Sequence, residues 1–240
     1  GRDLSVPVEL RLQKAILEGS KEGVVDDLDE LRATTAPLDI INGPLMAGMA
    51  EVGRLFGANQ LIVAEVLQSA EVMKAAVAHL EQFMSKEGGA AKAKMLLATV
   101  KGDVHDIGKN LVDIILSNNG FAVVNLGIKV PLAEMVAAAR EHRAQAIGMS
   151  GLLVKSTVVM RENLEEMARQ GLDIPVLLGG AALTRNYVED DCVRAYAGGE
   201  TTGRVAYARD AFDGLHLMDK VVGNGFDDYL AAVQSKRSGK

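Results

Sequence analysis

"KMLLATVKGDVHDIGKNLVDIILSNNGFAVVNLG", residues 94–127, decides how the second part of the chain folds. KMLLATV is a short β-prone run, and the polar loop KGDVHDIG follows it. IGKNLVDIILSNNG has helical periodicity and is stopped by Gly120, and FAVVNLG is a second β-prone run. The same alternation continues downstream. Pro131 opens the helix PLAEMVAAAREHR, AQAIGMSGL is a strand, and a helix surrounds STVVMRENLEEMARQG. IPVLLGG is a strand, a helix runs from Thr184 to about Ala195, RVAYA is a fifth strand, and DAFDGLHLMDKVV is a helix. Strands alternating with helices predict a parallel sheet covered on both faces.

Five strands suit the flavodoxin-like (Rossmann-like) order 2-1-3-4-5. In that order ligands sit at the carboxyl ends of the strands, at the switch point between the first and the third. The loop KGDVHDIG then faces the loop SGLLVKS. His105, Ser150 and Ser156 are expected to converge there, with Gly179 and Gly180 beside them at the end of strand four.

Upstream, from Ser5 to about Lys86, apolar residues recur at helical spacing without a convincing strand. The runs are VELRLQKAILEG, GVVDDLDELRA, PLDIINGPLMAGMAEVGRLFG and LIVAEVLQSAEVMKAAVAHLEQFM. Four amphipathic helices joined by short turns predict a helical bundle. SKEGGAAKAK, residues 85–94, reads as the linker and as the place for a hinge. The expected division is a helical bundle over 1–88, an α/β domain over 89–235 and a C-terminal linker end over 236–240.

Composition narrows the function. The 240 residues are 48% hydrophobic and 24% charged, a globular balance, and the net charge of −6 is interspersed rather than blocked. Nucleic acid is not expected as a partner, since phosphates call for a basic face. Cys192 is the only cysteine, so neither a disulfide framework nor a thiolate-rich zinc site can form. No signal peptide and no membrane span are read, and a cytoplasmic protein is expected.

Four readings of the histidine loop compete. Gly102 and Gly108-Lys109 resemble a phosphate loop, but five residues separate the glycines and Asn110 stands where Ser or Thr should hold magnesium. A hydrolase built from Ser150 or Ser156, His105 and Asp103 lacks the nucleophile elbow, because GMSGL has its second glycine one place early. A metal ligand is the third reading. A ligating imidazole usually donates its other N–H to a carboxylate, which Asp103 could be, and Ser156 could extend that relay. One histidine cannot build a zinc site, but it can be the axial ligand of a metal whose other positions a macrocycle fills. In the fourth reading Asp103 and Asp106 simply cap the following helix and His105 is a solvated loop residue.

DVHDIGKN, then MSGLLVKS, then LLGGAAL resembles the cobalamin-binding signature of corrinoid proteins, D-x-H-x-x-G followed by S-x-L and G-G. Asp103, His105 and Gly108 match its first element, Ser150 and Leu152 the second, Gly179 and Gly180 the third. The resemblance implies cobalamin as cofactor, carried as methylcobalamin, with His105 as the lower axial ligand of cobalt. The nucleotide tail would then descend beside the sheet, where glycines leave room. The upstream helices resemble the four-helix cap of methionine synthases and related corrinoid proteins, which covers the methyl-bearing face. Phe56 matches a cap aromatic. Ile62 stands where a second aromatic is expected, with Val63 and Val66 on the same face.

VAYARDAFDGLHLMDKVV resembles the end of the cobalamin module in methionine synthases, ahead of a reactivation domain. The implied function is a methyl carrier between methyltetrahydrofolate and homocysteine, one module of a larger methyltransferase. The methanol and methylamine corrinoid proteins, or a cobalamin sensor, are the alternatives. His105, Asp103 and Ser156 are implied as the reacting set. Cofactor contacts are implied at Asn42, Phe56, Ile62, Val63 and Val66, and in the second domain at Gly102, Asp103, Val104, His105, Asp106 and Gly108. Further contacts are implied at Ser150, Leu152, Val154, Gly179, Gly180, Tyr207 and Ala211. The implied partners are the folate, homocysteine and S-adenosylmethionine-dependent reactivation domains of the same enzyme. A single cysteine and the roughly 250 residues of a folate barrel place those activities elsewhere. A monomer is expected. Cys192 is expected to be a structural thiol and His79 and His142 surface residues, while His216 lies in the last helix, where it could face a neighbouring domain.

Overall fold

Strand β1 (Lys94–Thr99) is apolar on both of its faces, and this dictates layers above and below it. The computed structural model describes residues 3–83, 91–197 and 203–239, apart from the side chains of Leu38 and Asn118. The chain divides into two units, Gly1–Gly89 and Ala90–Lys240. Residues 85–90 of the expected linker lie outside the described residues.

In the second unit the strands are β1, β2 (Ala122–Asn125), β3 (Ala146–Ser150), β4 (Val176–Gly179) and β5 (Val205–Tyr207). They form one parallel sheet in the order β2-β1-β3-β4-β5, as the alternation predicted. The helices are α6 (Ile107–Asn118), α7 (Leu132–Glu141), α8 (Val154–Arg169), α9 (Val193–Ala197), α10 (Ala211–Val222) and α11 (Phe226–Ser238). Successive strand residues point to opposite faces. Leu96, Ala98, Ile147, Met149 and Leu178 pack with Met135 of α7, Met160 and Leu164 of α8, and Tyr196 of α9. Met95, Leu97, Ala146 and Leu177 pack with Leu116 of α6, Met218 of α10, and Phe226 and Leu230 of α11. Each such buried side chain contributes roughly 1.5–3 kcal/mol of transfer free energy. A Cβ on Gly148 would lie 2.3 Å from Met95 Cε, so the glycine in β3 is what lets Met95 and Leu97 fill that face.

Two expectations need correction in this unit. The segment after β4 is not one α-helix: Tyr187–Cys192 forms a π-helical turn before α9. Residues 236–238 are not a linker end but the last turn of α11, which the sequence reading missed altogether. Phe226 and Leu230, four apart, anchor α11 on the core, too short a stripe to stand out among its charged residues.

In the first unit α1 (Val8–Glu18) packs against α2 (Val24–Arg32), α4 (Met46–Gly57) and α5 (Val63–Glu81). Its core includes Leu12, Ile16, Leu28, Leu31, Leu45, Met49, Val52, Met73 and Leu80. Gly48 brings α4 close to α1, since a Cβ there would lie 2.8 Å from Ile16 Cβ. The third expected helix is broken. α3 (Pro37–Ile40) passes through a π-helical turn, Ile41–Leu45, before α4 begins. Pro44 brings no N–H and crowds the residue before it, and Gly43 takes the non-helical φ −97°, ψ −105°.

Candidate functional site

Pairing of Thr99 with Ser150, and of Ser150 with Gly179, sets the carboxyl ends of β1, β3 and β4 level. β1 lies between β2 and β3, so the connections after β1 and after β3 run to opposite sides, which makes the ends of these two strands the switch point of the sheet. There the chain turns: Asp103 N–H donates to the Val100 carbonyl, and Gly102 adopts φ +82°, which favours glycine.

The turn drives Asp103 inward until it is fully buried. Its carboxylate accepts five hydrogen bonds: from His105 N–H and Nδ1 (2.8 Å each) at Oδ1, and from Ser156 Oγ (2.5 Å), Leu152 N–H (2.7 Å) and Leu153 N–H (3.4 Å) at Oδ2. Burial alone pushes the Asp103 pKa up. The bonds from Ser156, from the His105 and Leu152 backbone and from the His105 ring outweigh it, and hold the carboxyl well below the usual carboxylate range. Gly151 makes the approach possible, because a Cβ there would lie 2.7 Å from Ser156 Cβ and 3.2 Å from Asp103 Oδ2. The sequence reading passed over Gly151, whose signal was its place between Ser150 and Leu152.

An ionised carboxylate can only accept, so His105 Nδ1 carries the proton. The neutral ring then keeps a lone pair on Nε2, which has no hydrogen-bond partner among the described residues. The ring is 44% exposed while its partner carboxylate is fully enclosed. Large apolar side chains stand exposed on the same loops: Val104 beside it, Leu152, Leu153 and Val154 after β3, and Ile128. Lys129 N–H donates to the Asp103 carbonyl and ties Ile128's loop to the turn. Gly102 and Gly108 have open space where a Cβ would stand, and Gly179 would meet only the Ala208 carbonyl, at 3.5 Å. An open imidazole nitrogen among exposed apolar side chains suits a broad apolar ligand that brings its own metal. Among the described residues no group of three His, Cys, Asp or Glu could hold a metal alone.

The other readings fail on geometry. Lys109 is buried and donates to Asn110 and Asn125, so it does not reach toward a phosphate. Ser156 bonds to Asp103 rather than to His105, so no base faces its hydroxyl as a nucleophile needs. Asp106 precedes α6, but its side chain accepts from Asn110 Nδ2 instead of capping the helix.

Of the other residues singled out, Ser150 contributes its carbonyl, which accepts from Val100 N–H, and no side-chain contact with His105 is present. Gly180 (φ +152°) does not keep space for a ligand: a Cβ there would stand 1.8 Å from the Gly151 carbonyl, so it serves the close approach of two loops. Tyr207 donates to the Leu183 carbonyl (3.4 Å), and Ala211 opens α10. In the helical unit Asn42 is exposed in the π-helical turn. Phe56 (40% exposed), Ile62 (66%) and Val63 (52%) are not bundle core. Val66 is, sharing the buried face of α5 with Ser69, Met73 and Leu80. Cys192 is fully buried, and burial, with Asp191 nearby, pushes its thiol up to about 12. His142 and His216 are exposed, but His79 is mostly buried, with Nε2 2.8 Å from Asp29 Oδ1. No described helix is long and apolar enough to cross a membrane.

Comparison with known proteins agrees with this geometry. Two family models, each described as a B12 binding domain, match residues 8–81 and 93–212. The methionine synthase of Mycobacterium tuberculosis is 57% identical over 220 residues, and that of Mycobacterium leprae 56% over 224; each alignment covers 90% of this chain and 18% of the relative. The chain therefore spans about a fifth of the length of the curated relatives it matches. Among solved structures, a cobalamin-binding protein from Desulfitobacterium hafniense is 26% identical with a TM-score of 0.61, over 90% of this chain and 98% of that one. The methanol:cobalamin methyltransferase complex of Methanosarcina barkeri is 28% identical with a TM-score of 0.57, over 90% and 80% of the two chains. The monomethylamine corrinoid protein of the same organism is 25% identical with a TM-score of 0.61, over 88% and 96%. With a buried Asp103 orienting an open His105 at the switch point and a B12-binding match across both units, the chain belongs to the B12 binding domain family.

Proposed function

We propose that this chain is the methyl-carrying cobalamin module of a larger cytoplasmic methionine synthase, with His105 as the lower ligand of cobalt. The observation that carries the reading is the His105 ring itself: Nδ1 is held by ionised Asp103 and Nε2 is left open. Identity near 57% to methionine synthases, against 25–28% to the corrinoid proteins, favours this module over a methanol or methylamine carrier. Donor and acceptor, methyltetrahydrofolate and homocysteine, would be handled by other domains, as would reactivation with S-adenosylmethionine.

When bound, the corrin cobalt supplies the centre that receives and gives up a methyl group. The protein's part is positional and protonic. Nε2 would be the atom that holds the cobalt, and Asp103 keeps the proton on Nδ1 so that the Nε2 lone pair stays available. A proton taken up at Nε2 on release would leave an imidazolium beside the Asp103 carboxylate, which Ser156 and two backbone N–H groups already hold ionised. Val104, Leu152 and Val154 offer apolar contact around the ring, and Phe56, Ile62 and Val63 are the residues proposed for contact from the helical unit.

The test is the absorbance spectrum of the cobalamin-loaded chain beside His105→Gly. The variant is expected to fold and to show a spectrum without a lower nitrogen ligand. Identical spectra at neutral pH would remove His105 from the role.

A further inference from the structure

Lys109 is a charged side chain only 2% exposed, and the chemistry of the site has so far not used it. Its Nζ donates to Asn110 Oδ1 (2.6 Å) and to Asn125 Oδ1 (2.8 Å). Burial lowers its pKa, against the pull of Asp106 and Asp113. A buried ammonium is costly unless it is paired, so its surroundings must repay it.

The bonds form a closed ring. Asn110 Nδ2 donates to Asp106 Oδ2 (3.2 Å), and Asp106 is covalently next to His105. The His105 carbonyl accepts from Thr99 Oγ1 (3.1 Å), a hydroxyl buried at the end of β1. Thr99 N–H donates to the Gly127 carbonyl (2.9 Å), and Gly127 N–H donates to Asn125 Oδ1 (3.0 Å), which is already held by Lys109. Asn125 Nδ2 closes a second path to Asp113 of α6 (2.9 Å). The His105 carbonyl is thus tied into one network with β1, β2 and the first turn of α6, while its N–H is held by Asp103.

We propose that Lys109 is a positioning residue for His105: through Asn110 and Asn125 it fixes the His105 main chain so that Nε2 stands where it can ligate cobalt. This rests on His105 being the lower ligand. Asp103 sets the ring's tautomer, whereas Lys109 sets where the ring's backbone stands. Removal of the ammonium takes from each amide oxygen its shorter, charged donor, leaving Asn110 Oδ1 only Asn125 Nδ2 (3.2 Å) and Asn125 Oδ1 only Gly127 N–H (3.0 Å), and frees the first turn of α6 to shift.

The test uses the full chain loaded with cobalamin in the cobalt(II) form, unlabelled and nitrogen-15 labelled, read by electron paramagnetic resonance. Nitrogen coupling that changes with the label in the parent chain establishes a protein ligand, and its absence there overturns the reading on which the proposal rests, and the proposal with it. Given that coupling, Lys109→Met is expected to lower the ratio of histidine-ligated to unligated cobalt by about tenfold, the scale on which groups behind a ligand act. The far-ultraviolet circular dichroism of the cofactor-free chain should not change. A parent-like ratio in Lys109→Met overturns the proposal while leaving His105 as ligand. Should Lys109→Met fail to fold, Asn110→Ala decides. That variant cuts the link to Asp106 and leaves the Asn125 bond, so a fallen ratio supports the proposal and an unchanged one overturns it.

Discussion

The loop after β1 and the exposed end of the helical unit are built on opposite principles. Both oxygens of Asp103 are committed: five donors converge on one buried carboxylate, and Gly151 and Gly180 allow the backbones to approach. At the end of α4 and the start of α5, Phe56, Ile62 and Val63 stand exposed, and the hydrogen bonds of Ile62 are those of its backbone, N–H to Glu65 Oε2 (2.8 Å) and carbonyl to the N–H groups of Glu65 and Val66. The first arrangement gives one ring a defined orientation at the cost of tolerance. The second offers apolar surface and constrains almost nothing, because dispersion contacts have no direction.

The sharpest contrast is in thiol chemistry. A thiol raised to about 12 is ionised to roughly one part in 10⁴ at pH 8, where an ordinary thiol is about a quarter ionised. Cys192 should therefore react with iodoacetamide about 10³-fold more slowly than a cysteine placed at the exposed end by Ile62→Cys. The sign is plain: raising pH from 8 should speed the exposed thiol by no more than about fourfold, whereas Cys192 should keep accelerating toward pH 12. Comparable rates at pH 8 would show that the sheet unit opens as readily as the helical end.

Asp103→Ala comes next. It strands five donors, so the sheet unit should lose about 3 kcal/mol in urea unfolding. Asp103→Asn should not be mild either, since an amide turns an NH2 toward N–H and O–H donors that need an acceptor. An unfolding midpoint within error of the parent for both variants would mean that the network is ornamental.

Glycine substitutions separate close packing from backbone conformation. Gly180→Ala collides with the Gly151 carbonyl and should cost about 2 kcal/mol, whereas Gly102→Ala meets open space and should cost only the ~1 kcal/mol of its left-handed φ. Equal losses would remove the loop–loop approach as the reason for Gly180. For this reason Gly180→Leu cannot report on a ligand tail: it would disturb the fold first.

The smallest effects belong to the helical end. Phe56→Ala and Ile62→Ala should each change stability of the cofactor-free chain by less than about 0.5 kcal/mol, as exposed positions usually do. Val66→Ala, on the buried face of α5, should cost about 1–2 kcal/mol more. A large loss at Phe56 would return it to the bundle core.

What could be read in advance followed from local patterns that one segment carries by itself. Apolar strands between amphipathic helices implied the parallel sheet, and the order that five such strands suit is the one the sheet has. Asp103 two residues before His105, with Ser156 across the switch point, implied the relay, and the three hydrogen bond as expected. Where a pattern was faint or ambiguous, the reading faltered: two anchoring residues hid α11, Gly43-Pro44 passed as helix interior, and Val66 passed as a partner of Val63.

Sequence alone determined the alternation of strands and helices, hence the parallel sheet, and set Asp103 within reach of His105, because periodicity and i, i+2 spacing are properties of a single stretch; the strand order only suited that alternation, and the role of the pair came from the resemblance. Only the tertiary structure decided what surrounds them. Spacing denied Lys109 the part of a phosphate-loop lysine, but its own place was unreadable until Asn125, 16 positions away on β2, accepted its hydrogen bond. Gly180 looked like room for a ligand until Gly151, from another loop, occupied the space of its missing Cβ. In each case the deciding partner lies far along the chain, and nothing in a residue's own neighbours specifies which distant atom folding will bring within 3 Å.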